Sequence, residues 1–143
     1  MPLATAPVKP LSAKHEFPPA AIVHGLAHAR TAVALGRPVT LLSAPGAASF
    51  MGCLWWKAIV DATAAPHVRS ILDCADAPGR ALEAFRVGVQ TIVLCPEAIG
   101  RDAVLAIAKE AGFIVLDARP EALDMARRDA LHRLPMLLGA APR

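Results

Sequence analysis

Three cysteines, Cys53, Cys74 and Cys95, recur every 21 residues along the chain. A thiol ionises more readily at a helix N-terminus, where unpaired amides concentrate positive potential. Cys53 follows Gly52 at the start of an apolar periodic stretch, so it is the thiol expected to react. Cys74 and Cys95 close short β-branched runs. A buried cysteine serves equally as a small apolar filler. No C-x-x-C pair is present and no histidine motif accompanies the thiols, so no metal site is expected.

Acids, a serine and an arginine close the same kind of run. Ser43, Asp73, Asp76, Glu97, Asp117 and Arg119 each follow a short apolar segment. Asp73, Asp117 and Glu97 are of the type that gives and takes protons, and Arg119 can clamp a carboxylate or phosphate through two donors. The loop 43–52 is rich in small residues and leads into a helix, so its amides are placed to approach an anion. It is not a P-loop, because Cys53 stands where the lysine would be, and Gly46 and Gly52 do not form G-x-G-x-x-G. The expected ligand-binding set is Ser43, Gly46, Ser49, Gly52, Asp73, Asp76 and Arg119; the catalytic candidates are Asp73, Cys53 and Asp117. Serine and aspartate at such junctions also cap helices, the simpler role. No motif specifies a cofactor.

His24 and His28 stand four apart and are read as one exposed polar face of a first helix. G-x-S-x-G is absent and no histidine falls at an expected strand end, which argues against a Ser-His-Asp hydrolase.

The elements that must position these residues alternate. Segment 19–35 has helical apolar spacing, and further helices are expected over 50–64, from 78 to about 88, over 101–111 and over 121–133, with Pro135 ending the last. Four β-branched runs, 38–43, 67–73, 91–95 and 113–117, lie between them. Strands joined by helices at this spacing form right-handed crossovers in a parallel sheet. The expected fold is α/β: a four-stranded parallel sheet with helices on both faces, order βαβαβαβα after an N-terminal helix. A doubly wound, flavodoxin- or Rossmann-like order is preferred over a sequential one resembling half a (β/α) barrel. Either order puts the acids, Ser43 and Arg119 at the carboxyl edge of the sheet.

The chain has 143 residues, 55% hydrophobic and 19% charged, enough for one domain over 19–143 behind a Pro-rich arm at 1–18. Its net charge of +3 comes from scattered basic residues, and with aromatic content of 4% this argues against nucleic acid as a partner. No apolar run is long enough to cross a membrane. An odd number of cysteines and an arm without a signal-like apolar core place the protein in the cytoplasm. So little charge on a small domain predicts a homo-oligomer. Trp55 and Trp56 on the second helix cannot both face one core, and they are the expected interface. The function expected is binding of an anionic, phosphate- or carboxylate-bearing metabolite at the sheet edge; the alternative is a non-catalytic homo-oligomeric interaction module.

Overall fold

The computed structural model describes residues 17–139. The arm at 1–18 therefore lies outside the described residues except for Phe17 and Pro18. In chain order the elements are β1 (Ala20–Ile22), α1 (Leu26–Val33), β2 (Val39–Leu42), α2 (Ala47–Phe50), α3 (Cys53–Ala62), β3 (Val68–Asp73), α4 (Pro78–Arg86), β4 (Thr91–Val93), α5 (Arg101–Ala111), β5 (Ile114–Leu116), β6 (Ala122–Asp124) and α6 (Ala130–Leu137).

The sheet is parallel throughout and has six strands, not four, in the order β5-β4-β3-β2-β1-β6. Both additional strands are three residues long and lie inside segments read as helix. Ala20, Ala21 and Ile22 bear no strand-forming pattern of their own; pairing with β2 on one side and β6 on the other makes them a strand. Hence β1 precedes α1, and no helix opens the fold among the described residues. The helix expected over 50–64 is two pieces broken at Met51–Gly52, where Gly52 has φ +93°, a left-handed value that favours glycine. Pro135 lies within α6 rather than after it.

From β1 to β5, strands neighbour one another in space as they do in sequence. Right-handed crossovers that all step in one direction leave their helices on one side of the sheet. The packing agrees. One core cluster combines Ala29, Ala32, Trp56, Ile59, Ala84, Phe85, Val104, Ala108 and Leu134 from the helices with Val39, Leu41, Leu72 and Ile92 from the strands. A second contains no helix residue: Phe17, Leu42, Ile71, Val93 and Leu116, with Ile22 and Ala122 against them. The expected covering of both faces by helices is therefore corrected, and the sequential alternative describes β1 to β5.

The second cluster draws on every strand. Six strands laid flat would separate the edges by about 24 Å. The link between edge strands β5 and β6 is residues 117–121, which spans at most roughly 21 Å even when fully extended. The sheet is curled, with the helices outside and the second cluster inside. Phe17 plugs the amino end of that interior, where the Arg69 guanidinium lies 4.6 Å from its ring centre and Thr40 Oγ1 donates to the Pro18 carbonyl at 2.8 Å.

Candidate functional site

Curling the sheet gathers the carboxyl ends of its strands into a mouth. Residues alternate in and out along a strand. His24, Asp73, Cys95 and Asp124 each stand two positions beyond an inner residue, Ile22, Ile71, Val93 and Ala122 respectively, so all four belong to the inner side at this end.

Asp73 is the best-buried acid of the mouth, 3% exposed. Its Oδ2 accepts from Arg119 Nη1 at 2.7 Å, and its Oδ1 accepts from the Ala75 amide at 2.7 Å. Its own amide donates to Ser43 Oγ at 2.9 Å, and that hydroxyl donates to the Ala44 carbonyl at 3.0 Å. Ser43 thus ties the end of β2 to the end of β3 and has no hydrogen left for catalysis. Ala75 sits at φ +52°, a conformation uncommon for any residue but glycine. It is held there by the hydrogen bond its amide donates to Asp73 Oδ1 and by the Cys95 amide, which donates to its carbonyl at 2.7 Å.

Arg119 is the residue this arrangement leaves incomplete. Its Nη1 is held by Asp73, whereas its Nη2 is buried and has no hydrogen-bond partner among the described residues. A buried guanidinium nitrogen without an acceptor costs free energy unless something supplies one. Arg101, by contrast, is satisfied: it pairs with Asp117 and donates Nε–H to the Leu94 carbonyl at 3.2 Å. Asp117 and Asp76 stand exposed at the rim.

The loop 43–52 does not form an open anion cradle. Gly46, at φ +67°, starts a single turn of helix, and the amides of Ala47, Ser49, Met51 and Gly52 donate to carbonyls within the loop. Ser49 is exposed, Gly52 serves the break between α2 and α3, and only Ser43 reaches Asp73.

Cys53 does begin α3, as expected, but it is fully buried and donates to the Arg80 carbonyl at 3.4 Å. Burial and the Glu83 carboxylate push its thiol up, outweighing Arg80. Cys74 is pushed up to about 12, first by burial and then by Cys53, Asp73 and Glu83. Both behave as apolar core, and the thiolate expected at Cys53 is disfavoured by its surroundings. Cys95 is half-buried.

Sequence reasoning missed the histidine of the mouth. The sequence pattern places His24 on a helix face, but α1 begins only at Leu26, and His24 lies two residues beyond the end of β1. Its Nε2 lies 2.7 Å from Asp124 Oδ1, at the end of β6. The His28 ring meets it edge-on at 5.5 Å, and His28 Nδ1 accepts the His24 amide at 3.1 Å. Partial burial pushes the Asp124 carboxyl up, but the Ala126 amide, the hydrogen bond to His24 and the charges of the two histidines together hold it below the ordinary value. The apolar spacing of 22–33 suits a helix so well that it conceals the strand; the one signal is Gly25 immediately after His24.

Among the described residues no group of three or more His, Cys, Asp or Glu is placed to hold a metal ion, and no helix is long and apolar enough to cross a membrane. Trp56 is completely buried, so it cannot be presented at an interface; Trp55 is half-buried, and the exposed apolar side chains beside it are Phe50, Met51 and Leu54. No protein-family model and no curated protein matches this chain.

Proposed function

We propose that the protein binds a small metabolite through an anionic group, carboxylate or phosphate, at the mouth of its curled sheet. The observation that carries this reading is the Arg119 guanidinium, fixed by Asp73 on one arm and lacking an acceptor on the other. Because Asp73 already offsets its charge, Arg119 holds the ligand by directed hydrogen bonds more than by net charge. The loop 43–52 contributes only Ser43, through Asp73. Free cysteines and the absence of a membrane-crossing helix among the described residues support a cytoplasmic setting.

Titration with inorganic phosphate, followed through backbone amide resonances, tests the reading. Shifts at Ala75, Arg119 and their neighbours are expected, and Arg119→Lys, which keeps a charge for Asp73 but loses the forked donors, should weaken binding about tenfold or more. Phosphate that leaves these resonances unmoved overturns the reading.

A homo-oligomeric interaction module is the second reading, favoured by Phe50 and Leu54, 64% and 68% exposed on adjoining turns. Leu54→Glu would then reduce the assembly size seen by light scattering, and a wild-type monomer at micromolar concentration removes this reading.

A further inference from the structure

Resting on the anion-binding reading above, we propose that His24 is the general base of the same mouth, acting through Nδ1 on a ligand whose anionic group lies on Arg119. Asp124 is its positioning residue. An ionised Asp124 is an acceptor only, so the hydrogen it shares with His24 must reside on Nε2 of the imidazole. Neutral His24 then has its lone pair on Nδ1, which has no partner among the described residues. Nε2 points towards β6, and the two ring nitrogens diverge, so Nδ1 faces away from β6. Beyond β1 from β6 lie β2 and β3, whose ends carry Ser43 and Asp73, and Arg119 reaches Asp73 from the link 117–121.

Strands β1 and β3 are two spacings apart, about 10 Å before curvature shortens the distance. One small molecule spans that interval. At 37% exposure the His24 side chain is accessible to it.

The other groups of the mouth leave this role open. Asp73 is committed to Arg119 and the Ala75 amide, the Ser43 hydroxyl is spent on Ala44, and Asp117 is paired with Arg101. The chemistry assigned to His24 is proton transfer. A ligand C–H or O–H bond breaks, an N–H bond forms at Nδ1, and the electron pair stays on the ligand. Nothing is oxidised or reduced. The resulting imidazolium is stabilised by Asp124, the arrangement by which a carboxylate orients and supports a histidine base.

Two measurements on the full chain test this. Long-range proton–nitrogen spectra should show His24 as the Nε2–H tautomer with bare Nδ1, and Asp124→Asn should abolish that preference while Asp124→Glu largely retains it. Diethyl pyrocarbonate, which modifies unprotonated imidazole nitrogens, should label His24, with fragmentation spectra separating it from His28. Saturating citrate, which carries several carboxylates and is longer than inorganic phosphate, should slow labelling of His24 at least fivefold while leaving His67 and His132 unaffected, and Arg119→Lys should remove the protection. An Nδ1–H tautomer, or citrate that binds without protecting His24, overturns the base and leaves the anion site standing. Phosphate that does not bind overturns both.

Discussion

Ile71 and Leu72 are neighbours in β3 and both are fully buried, yet they serve separate interiors. Leu72 faces the helices, in a core mostly of alanines, valines and leucines whose polar exception is the Trp56 indole, its Nε1 buried without a partner among the described residues. Ile71 faces the curl of the sheet, and the residues near it include buried Thr40, Thr91 and Asp73. An interior of small apolar side chains asks only to be filled, whereas one that includes a buried carboxylate must also be paired. The outer side is the larger apolar core; the inner side is the smaller one and carries the buried carboxylate that a site requires.

Truncation at the two neighbours is the most direct way to break this division. Leu72→Ala is expected to cost about 3–5 kcal/mol by chemical denaturation, and Ile71→Ala about 2–3 kcal/mol, because the smaller inner cluster has a rim that can relax. A loss under about 1 kcal/mol at Ile71 would mean that the inner side is not a closed core. Removing the charge at Asp73 should come next. Asp73→Ala strands Arg119 and is expected to cost about 3 kcal/mol, and adding Arg119→Met should recover at least half of it. Failure of the second change to help would show that Asp73 acts chiefly through the Ala75 and Ser43 bonds.

The thiols sharpen the contrast further. Iodoacetamide at neutral pH should reach Cys95, on the inner side, well before Cys53 or Cys74, as peptide mass spectrometry can read. Since burial raises Cys74 from an ordinary value of 9.0 to about 12, its contribution to stability is intact below pH 9.0 and is lost as pH rises towards about 12. A denaturation midpoint unchanged across that interval would contradict the burial.

The smallest effect belongs to the exposed pair. Asp124→Asn should change stability by less than about 1 kcal/mol, since both partners are partly in water. The Asp124 carboxyl is more acidic folded than unfolded. Its contribution is therefore full above the ordinary value of 3.8 and fades as pH falls through its lower folded value. A stability loss comparable to that of Asp73→Ala would place His24–Asp124 among structural contacts instead of at a site.

Reading the chain in order identifies β2 to β5 and the helical segments between them, because each pairs a β-branched run with a helical period and a glycine or proline stop. Asp73 and Arg119 were among the residues singled out, and their contact joins two strand ends that sequence spacing alone keeps 46 residues apart. What escaped were β1 and β6, three residues each, whose identity as strands lies in their partners. With them went His24 and Asp124. The loop 43–52 misled in the opposite direction: small residues that suit an anion also suit a tight turn, and internal bonds take up its amides.

The pairing of β6 with β1 also sets a timetable. His24 and Asp124 are 100 residues apart, and β1 can acquire its outer neighbour only after nearly the whole described chain has been synthesised. Until then Ala20–Ile22 present a bare edge, the kind of surface that recruits strands from other molecules. Contacts that join distant parts of a chain close slowly. The last strand to form therefore covers the β1 edge and becomes the edge in its place, and the same step completes the rim on which His24 and Asp124 meet.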